Sequence, residues 1–279
     1  MPLATSTGGV RIYYEVRASA KDSTLPPVVL VQGLGLSSRF WFDLPERIAA
    51  AGKPRQVVVL DNRGVGRSDK PRGPYRMAML ADDVAAVLDA AGLGKAVVVG
   101  ISLGGMIAQH VALRHPDKVA GLVLLATTPG LPHGRLPQAS ALVTLLGLPI
   151  ASRFRSPAAV GRAMAGLLLP KKDASRARDL LSQWPAAMRA EPMRPASFFA
   201  QLAAVATHST GARLRHITCP TVVVTGDEDV LVPPHNSRLI ASLVPGAHLE
   251  VVRKCGHAIP AIDPGCIERA LERLGNVAS

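Results

Sequence analysis

Val97-Val98-Val99-Gly100-Ile101-Ser102-Leu103-Gly104-Gly105-Met106 is the stretch whose reading decides the fold. A run of β-branched residues stops at a glycine, a serine follows, and two more glycines lead into a helical pattern. This predicts a buried strand, a sharp turn and a helix, with Ser102 at the apex. Gly100 and Gly104 flank the serine with G-x-S-x-G spacing, in which the serine sits on a strained strand-to-helix turn. Side chains at those glycines would collide with the neighbouring strand and helix. A hydroxyl held at the apex projects into open space at a helix N-terminus, where backbone N–H groups favour developing negative charge. The same residues also fit a plain Gly-rich turn, so the rest of the chain must decide.

Outward from this stretch the sequence alternates strand and helix signals. Val10–Val16 alternates apolar and polar residues and reads as a half-buried strand, with Gly8-Gly9 turning into it from a first strand near Leu3–Ser6. Short apolar runs follow at Val28–Val31, Val57–Leu60, Ala96–Val99, Gly121–Leu125, Thr221–Val224 and His248–Val252. Helical patterns cover Ser38–Ala51, Met77–Ala91, Leu103–Arg114, His235–Leu243 and Pro264–Leu274, with Gly92 closing the second. Buried runs alternating with helices predict an α/β fold: a mostly parallel eight-stranded sheet with helices on both faces. From Leu131 to about Gly211 strand signals vanish and prolines punctuate short helical patterns. The expected organisation is a core of residues 1–130 and 212–279 with a helical cap insertion at 131–211, whose segment Ser197–Thr207 also fits the core.

Composition narrows the class. The 279 residues are 48% hydrophobic and carry a net charge of +12. The basic residues are scattered, with no basic helix and no nucleic-acid motif, so no nucleic-acid partner is expected. Cys219, Cys255 and Cys266 have neither disulfide-framework nor metal-type spacing and read as free, mostly buried thiols. No metal or cofactor is expected. Neither a signal-peptide pattern nor about 18 uninterrupted apolar residues occurs, which predicts a cytoplasmic chain without stable membrane insertion. Oligomeric state is not encoded legibly.

A serine needs a base, normally a histidine oriented by a carboxylate. Of eight histidines, His257 alone combines a loop after a late strand with a preceding glycine, in Lys254-Cys255-Gly256-His257-Ala258. His110 and His115 fall on the helix after the serine and are expected to point away. His133 and His208 lie in or beside the insertion, and His216, His235 and His248 lack the Gly-His pair. The acid belongs after the preceding strand, within Gly226-Asp227-Glu228-Asp229. Ser, Asp and His then follow one another in a recognised chain order.

With these residues in view, the chain resembles the α/β-hydrolase-fold serine hydrolases, over nearly everything outside the insertion. The resemblance includes a Gly-x-x-Asp-x-x-x-Pro pattern, matched by Gly226, Asp229 and Pro233, and so implies Asp229 as the acid over Asp227 and Glu228. It implies an oxyanion hole from the backbone N–H groups of Leu34 and Leu103. Gln32 stands where the family commonly has histidine, a departure that leaves the backbone donor in place. Asp61-x-Arg63-Gly64-x-Gly66-x-Ser68 also resembles a family signature and reads as a tight turn tied by charge-assisted hydrogen bonds. The expected activity is hydrolysis of a carboxylic ester by Ser102, Asp229 and His257 through an acyl-enzyme, with a medium-sized, largely apolar small-molecule substrate. Lactone, thioester, methyl ester or C–C bond cleavage by the same triad, and non-catalytic ligand binding, are the alternatives.

Overall fold

Four-residue apolar runs become strands buried on both faces in the computed structural model, which describes residues 2–18, 23–50, 55–169, 178–192 and 194–277. The strands are β1 (Leu3–Thr5), β2 (Arg11–Ala18), β3 (Val28–Val31), β4 (Val57–Leu60), β5 (Ala96–Ile101), β6 (Val119–Leu125), β7 (Thr221–Gly226) and β8 (His248–Val252). They form one eight-stranded sheet in the order β1-β2-β4-β3-β5-β6-β7-β8. Pairings β1–β2 and β2–β4 are antiparallel and all others parallel. The glycines of the first turn, Gly8 and Gly9, take φ values of 76° and 74°, which side chains rarely tolerate.

Successive strand residues point to opposite faces, and the core divides accordingly. Val29, Val31, Val58, Leu60, Val98 and Leu124 belong to one buried cluster with residues of α2 (Met77–Ala90), α3 (Leu103–Arg114) and α8 (Pro234–Leu243). Val28, Leu30, Val57, Val59, Val99 and Leu125 belong to another with residues of α1 (Leu44–Ala50) and α10 (Cys266–Val277). This is the doubly covered sheet that near-continuous apolar strands demand. Two expectations need correction. Ser38–Ala51 is not one helix: a 3₁₀ turn at Ser38–Trp41 is separated from α1 by Phe42, at φ 51°. The β8 strand, at the sheet edge, is only half-buried apart from Val252, because one of its flanks has no neighbouring strand.

Between β6 and β7 the chain runs through α4 (Ala139–Phe154), α5 (Pro157–Leu168), α6 (Arg178–Ala190) and α7 (Pro195–Ala206). Leu148, Val160, Met164 and Trp184 form a separate small cluster with Phe40, whose ring meets Trp184 edge-on at 5.7 Å. By contrast, Ala200 and Ala204 of α7 join the cluster under α2 and α3. Buried Gln201 stitches α7 down: its Oε1 accepts from Gly35 N at 2.9 Å and its Nε2 donates to the Arg63 carbonyl at 2.9 Å. A short helix, α9 (Ile259–Ile262), precedes α10.

The turn after β5 leaves no room for side chains at two of its glycines. A Cβ on Gly100 would lie 2.2 Å from the Gly104 carbonyl oxygen, and one on Gly104 would lie 2.0 Å from that of Val31. Neither backbone group has room to retreat, since β3, β5 and α3 are all buried there. Gly100→Ala is therefore expected to destabilise the fold by about 3 kcal/mol, the upper range for overpacking a core. Urea unfolding midpoints measured beside Gly94→Ala, where a Cβ meets nothing within 4 Å, check this.

Candidate active site

Ser102 directly follows β5, with φ 56° and ψ −117°, and stands at the N-cap of α3. Non-glycine residues avoid positive φ, so the surroundings must hold it there. Its N–H donates to the Leu125 carbonyl at 2.9 Å, its carbonyl accepts from Met106 N, and Thr127 Oγ1 donates to the same carbonyl at 2.8 Å. The side chain is thereby aimed into a cavity of about 340 Å³ that it lines with His257, Gln32, Leu34 and Leu103. Most of the wall is apolar, with Phe40, Trp41, Leu142, Leu145, Met164 and Phe198 among its residues. Arg47, one of the few charged residues there, is engaged by Glu268 and the Pro264 carbonyl.

His257 follows β8 and Asp229 follows β7, two adjacent parallel strands that bring the loops together. His257 Nδ1 lies 2.7 Å from Asp229 Oδ2, and both side chains are buried. A carboxylate accepts, so Nδ1 carries the proton and Nε2 is left as the basic nitrogen. The other carboxylate oxygen, Oδ1, accepts from Leu231 N and Val232 N, each at 2.8 Å, which fixes the carboxylate plane. The alternative acid, Asp227, instead accepts from Cys255 N and belongs to the turn. Gly226 is required here, because a Cβ would meet the Cys255 and Gly256 carbonyls at 2.3 and 2.4 Å.

Across the cavity, Gln32 Oε1 accepts from Gly33 N at 2.9 Å, and the Gln32 carbonyl accepts from Asn62 Nδ2 at 3.0 Å. The glutamine thus braces the loop from within, occupying the Gly33 donor. Among the described residues, neither the Leu34 nor the Leu103 N–H donates to another protein group. The turn after β4 supports this loop. Asp61 accepts from Ser38 N at 2.7 Å and Arg67 N at 2.8 Å, while Arg63 forms a buried ion pair with Asp83. A Cβ on Gly66 would fall 2.2 Å from Asp61 Oδ2, so the glycine is part of the same knot.

A second histidine, His208, also lines the cavity, a placement its sequence neighbourhood does not signal. Its Nε2 donates to the Thr128 carbonyl at 2.9 Å, leaving Nδ1 to accept from His110 Nε2 at 3.3 Å. Burial first, and then nearby positive charge, pulls His208 down to about 4. Burial, the facing His208, Arg213 and Arg114 pull His110 down to about 3. Both nitrogens of His208 are committed, which leaves His257 as the histidine suited to proton transfer. Gln109 completes this buried group, donating to the Thr128 carbonyl and accepting from Thr210 Oγ1 at 2.6 Å.

Comparison with known proteins agrees with this architecture. A family model described as alpha/beta hydrolase fold matches residues 26–264. RutD of Caulobacter vibrioides, named for carbamate hydrolysis, is 33% identical over 248 residues, covering 88% of each chain. Rhodomycin D methylesterase DauP of Streptomyces sp. (strain C5) is 31% identical over 266 residues, covering 86% of this chain and 87% of DauP. Among solved structures, Est816, an N-acyl homoserine lactone degrading enzyme, superimposes with a TM-score of 0.76 at 29% identity, covering 98% of this chain and 99% of Est816.

The buried histidine pair makes acid stability a readout of this region. Both rings take up protons near 6.5 when unfolded but only near 4 and 3 when folded. The unfolded state therefore binds more protons across that window, and stability falls as pH falls below about 6.5. Urea midpoints are expected to drop between pH 7 and pH 5, and to drop less in a His110→Gln/His208→Asn double variant. An equal drop in both proteins overturns the assignment.

Proposed function

The chain belongs to the α/β-hydrolase family, and we propose that it cleaves carboxylic esters through an acyl-enzyme formed on Ser102. The observation that carries this reading is a positive-φ serine sharing one apolar cavity with a histidine whose far nitrogen is held by a buried aspartate. His257 Nε2 takes the Ser102 proton as Oγ attacks the acyl carbonyl, then delivers it to the leaving alcohol. Asp229 keeps the imidazole in the required tautomer and stabilises its cation. The Leu34 and Leu103 N–H groups, with no protein acceptor among the described residues, receive the oxyanion. A water activated by His257 then releases the acid.

The relatives are named for a carbamate, a methyl ester and a lactone. All three place a heteroatom leaving group on a carbonyl, the feature this arrangement attacks. The apolar wall selects among them by favouring an uncharged, medium-sized acyl or alcohol portion, because a charge set against the predominantly apolar lining loses its hydration. Helices α4–α6 act in this reading as a cap that closes the apolar side of the cavity.

A fluorophosphonate probe is expected to label Ser102, and Ser102→Ala to lower kcat/KM by about a thousandfold or more. Asp229→Asn is expected to lower kcat by orders of magnitude through the wrong imidazole tautomer, about 10⁴-fold in the reference triad, while Asp227→Asn leaves it within a few fold. Retention of full esterase activity by Ser102→Ala sinks the proposal. Rates on p-nitrophenyl esters are expected to rise as the uncharged acyl chain lengthens beyond acetate; activity confined to charged acids contradicts the apolar-cavity reading.

A further inference from the structure

Helix α4 carries large apolar residues on its buried sides and also on the side that faces water. Its residues Ala139–Ser152 include no charged side chain. Ala141 and Leu148 are buried in the small helical cluster, and Leu142 and Leu145 line the cavity. The outward stripe is Val143, Leu146, Ile150 and Phe154, at steps of three, four and four residues, which keeps them on one helix face. Val143, Ile150 and Phe154 are 72%, 60% and 78% exposed. A helix with large apolar residues on opposite faces is ordinarily covered on both. This one is not, and single exposed apolar residues are unremarkable only when scattered.

The charge around the stripe says what covers it. Between Leu131 and Thr207 the chain holds ten Lys and Arg against three Asp and Glu, so this insert carries +7 of the total +12. Arg155 adjoins Phe154, Arg162 lies on the neighbouring α5, and Arg135 adjoins exposed Leu136; all three arginines are exposed. None of them forms an ion pair among the described residues. A second copy of the chain docking face to face would bring two such inserts together and repel. An anionic, apolar-backed surface satisfies both features at once. We propose that the outer face of α4 docks reversibly on anionic lipid bilayers, with Val143, Leu146, Ile150 and Phe154 at the headgroup–acyl boundary and the flanking arginines among the lipid phosphates.

Leu131 and Leu136, on the loop leading into α4, are exposed and also line the cavity, so the stripe and the cavity share a rim. Docking then sets the cavity mouth where apolar esters partition. Docking itself does not require ester chemistry: Ser102→Ala is expected to bind lipid as the parent protein does.

The test is flotation of the full chain with vesicles. Binding is expected to phosphatidylcholine vesicles containing about 30% phosphatidylglycerol, weakening as salt is raised, with little binding to phosphatidylcholine alone. A Val143→Ser/Ile150→Ser/Phe154→Ser variant is expected to bind the anionic vesicles about tenfold or more weakly. Its hydrolysis of a short soluble ester should stay unchanged, since none of the three residues lines the cavity. If that variant does not fold, Arg155→Glu/Arg162→Glu, which leaves α4 unaltered, is expected to lower binding in its place. Absence of vesicle binding overturns the proposal, as does equal binding to both vesicle types. Wild-type binding by the folded serine variant also overturns it, by tracing adsorption to overall basicity. So does a stable dimer in solution that the serine variant dissociates, since a second copy would then be the occupant.

Discussion

The closeness of β3, β5 and α3 is the constraint on which the rest of the molecule depends. The backbone of Gly104 sits against the Val31 carbonyl, and Gly100 sits against Gly104, with no space for a methyl group at either contact. That closeness forces Ser102 into positive φ and turns its side chain away from the sheet. It also places the Gln32-Gly33-Leu34 loop, which continues directly from β3, opposite the serine. One packing contact thus sets Ser102 beside the Gly33 backbone, where an added Cβ would lie 3.5 Å from that of Ser102. Thr127, whose side chain holds the Ser102 carbonyl, would itself collide with a Cβ on Gly105, so the segment that follows β6 enforces the geometry from the other side.

Around this centre, the buried charges named above sit in partnered sets rather than singly. Asp229 uses both carboxylate oxygens, Asp61 ties two loops together, and Arg63 pairs with Asp83. Each buried charge would be costly alone and is tolerable only with its partners in place. The Asp61 knot never reaches the cavity, yet it neighbours Asn62, whose amide holds the Gln32 carbonyl. Rigidity of the Gln32-Gly33-Leu34 loop is therefore inherited from charged groups beyond it.

The strands were legible because β-branched runs bounded by Gly, Pro and Asp leave few other readings, and the serine turn because glycines mark close approach. The Gly-His and Gly-x-x-Asp patterns singled out residues that the structure brings into contact. What stayed hidden depends on contacts distant in sequence. Nothing near Phe42 signals a break in the expected Ser38–Ala51 helix, since positive φ there comes from tertiary packing and not from a glycine. The His110–His208 contact joins residues 98 apart. The α4 pattern puts large apolar residues on both its buried and its exposed faces, so periodicity could not tell one from the other.

The two ends of the helical insert are pinned side by side. Gly130 and Ser209 form an antiparallel bridge, and the Thr128 carbonyl accepts from both Gln109 and His208. A chain segment whose ends are already held together adds loop-closure entropy only as the logarithm of its length. Helices α4–α6, which lie between those anchors and pack mainly in a cluster of their own, can accordingly be lengthened, shortened or exchanged at less thermodynamic cost to the sheet below than α7, whose Ala200 and Ala204 belong to the main core. The clamp leaves the α4–α6 side of the cavity, with Leu142, Leu145 and Met164, more open to evolutionary change than the side built on the serine turn.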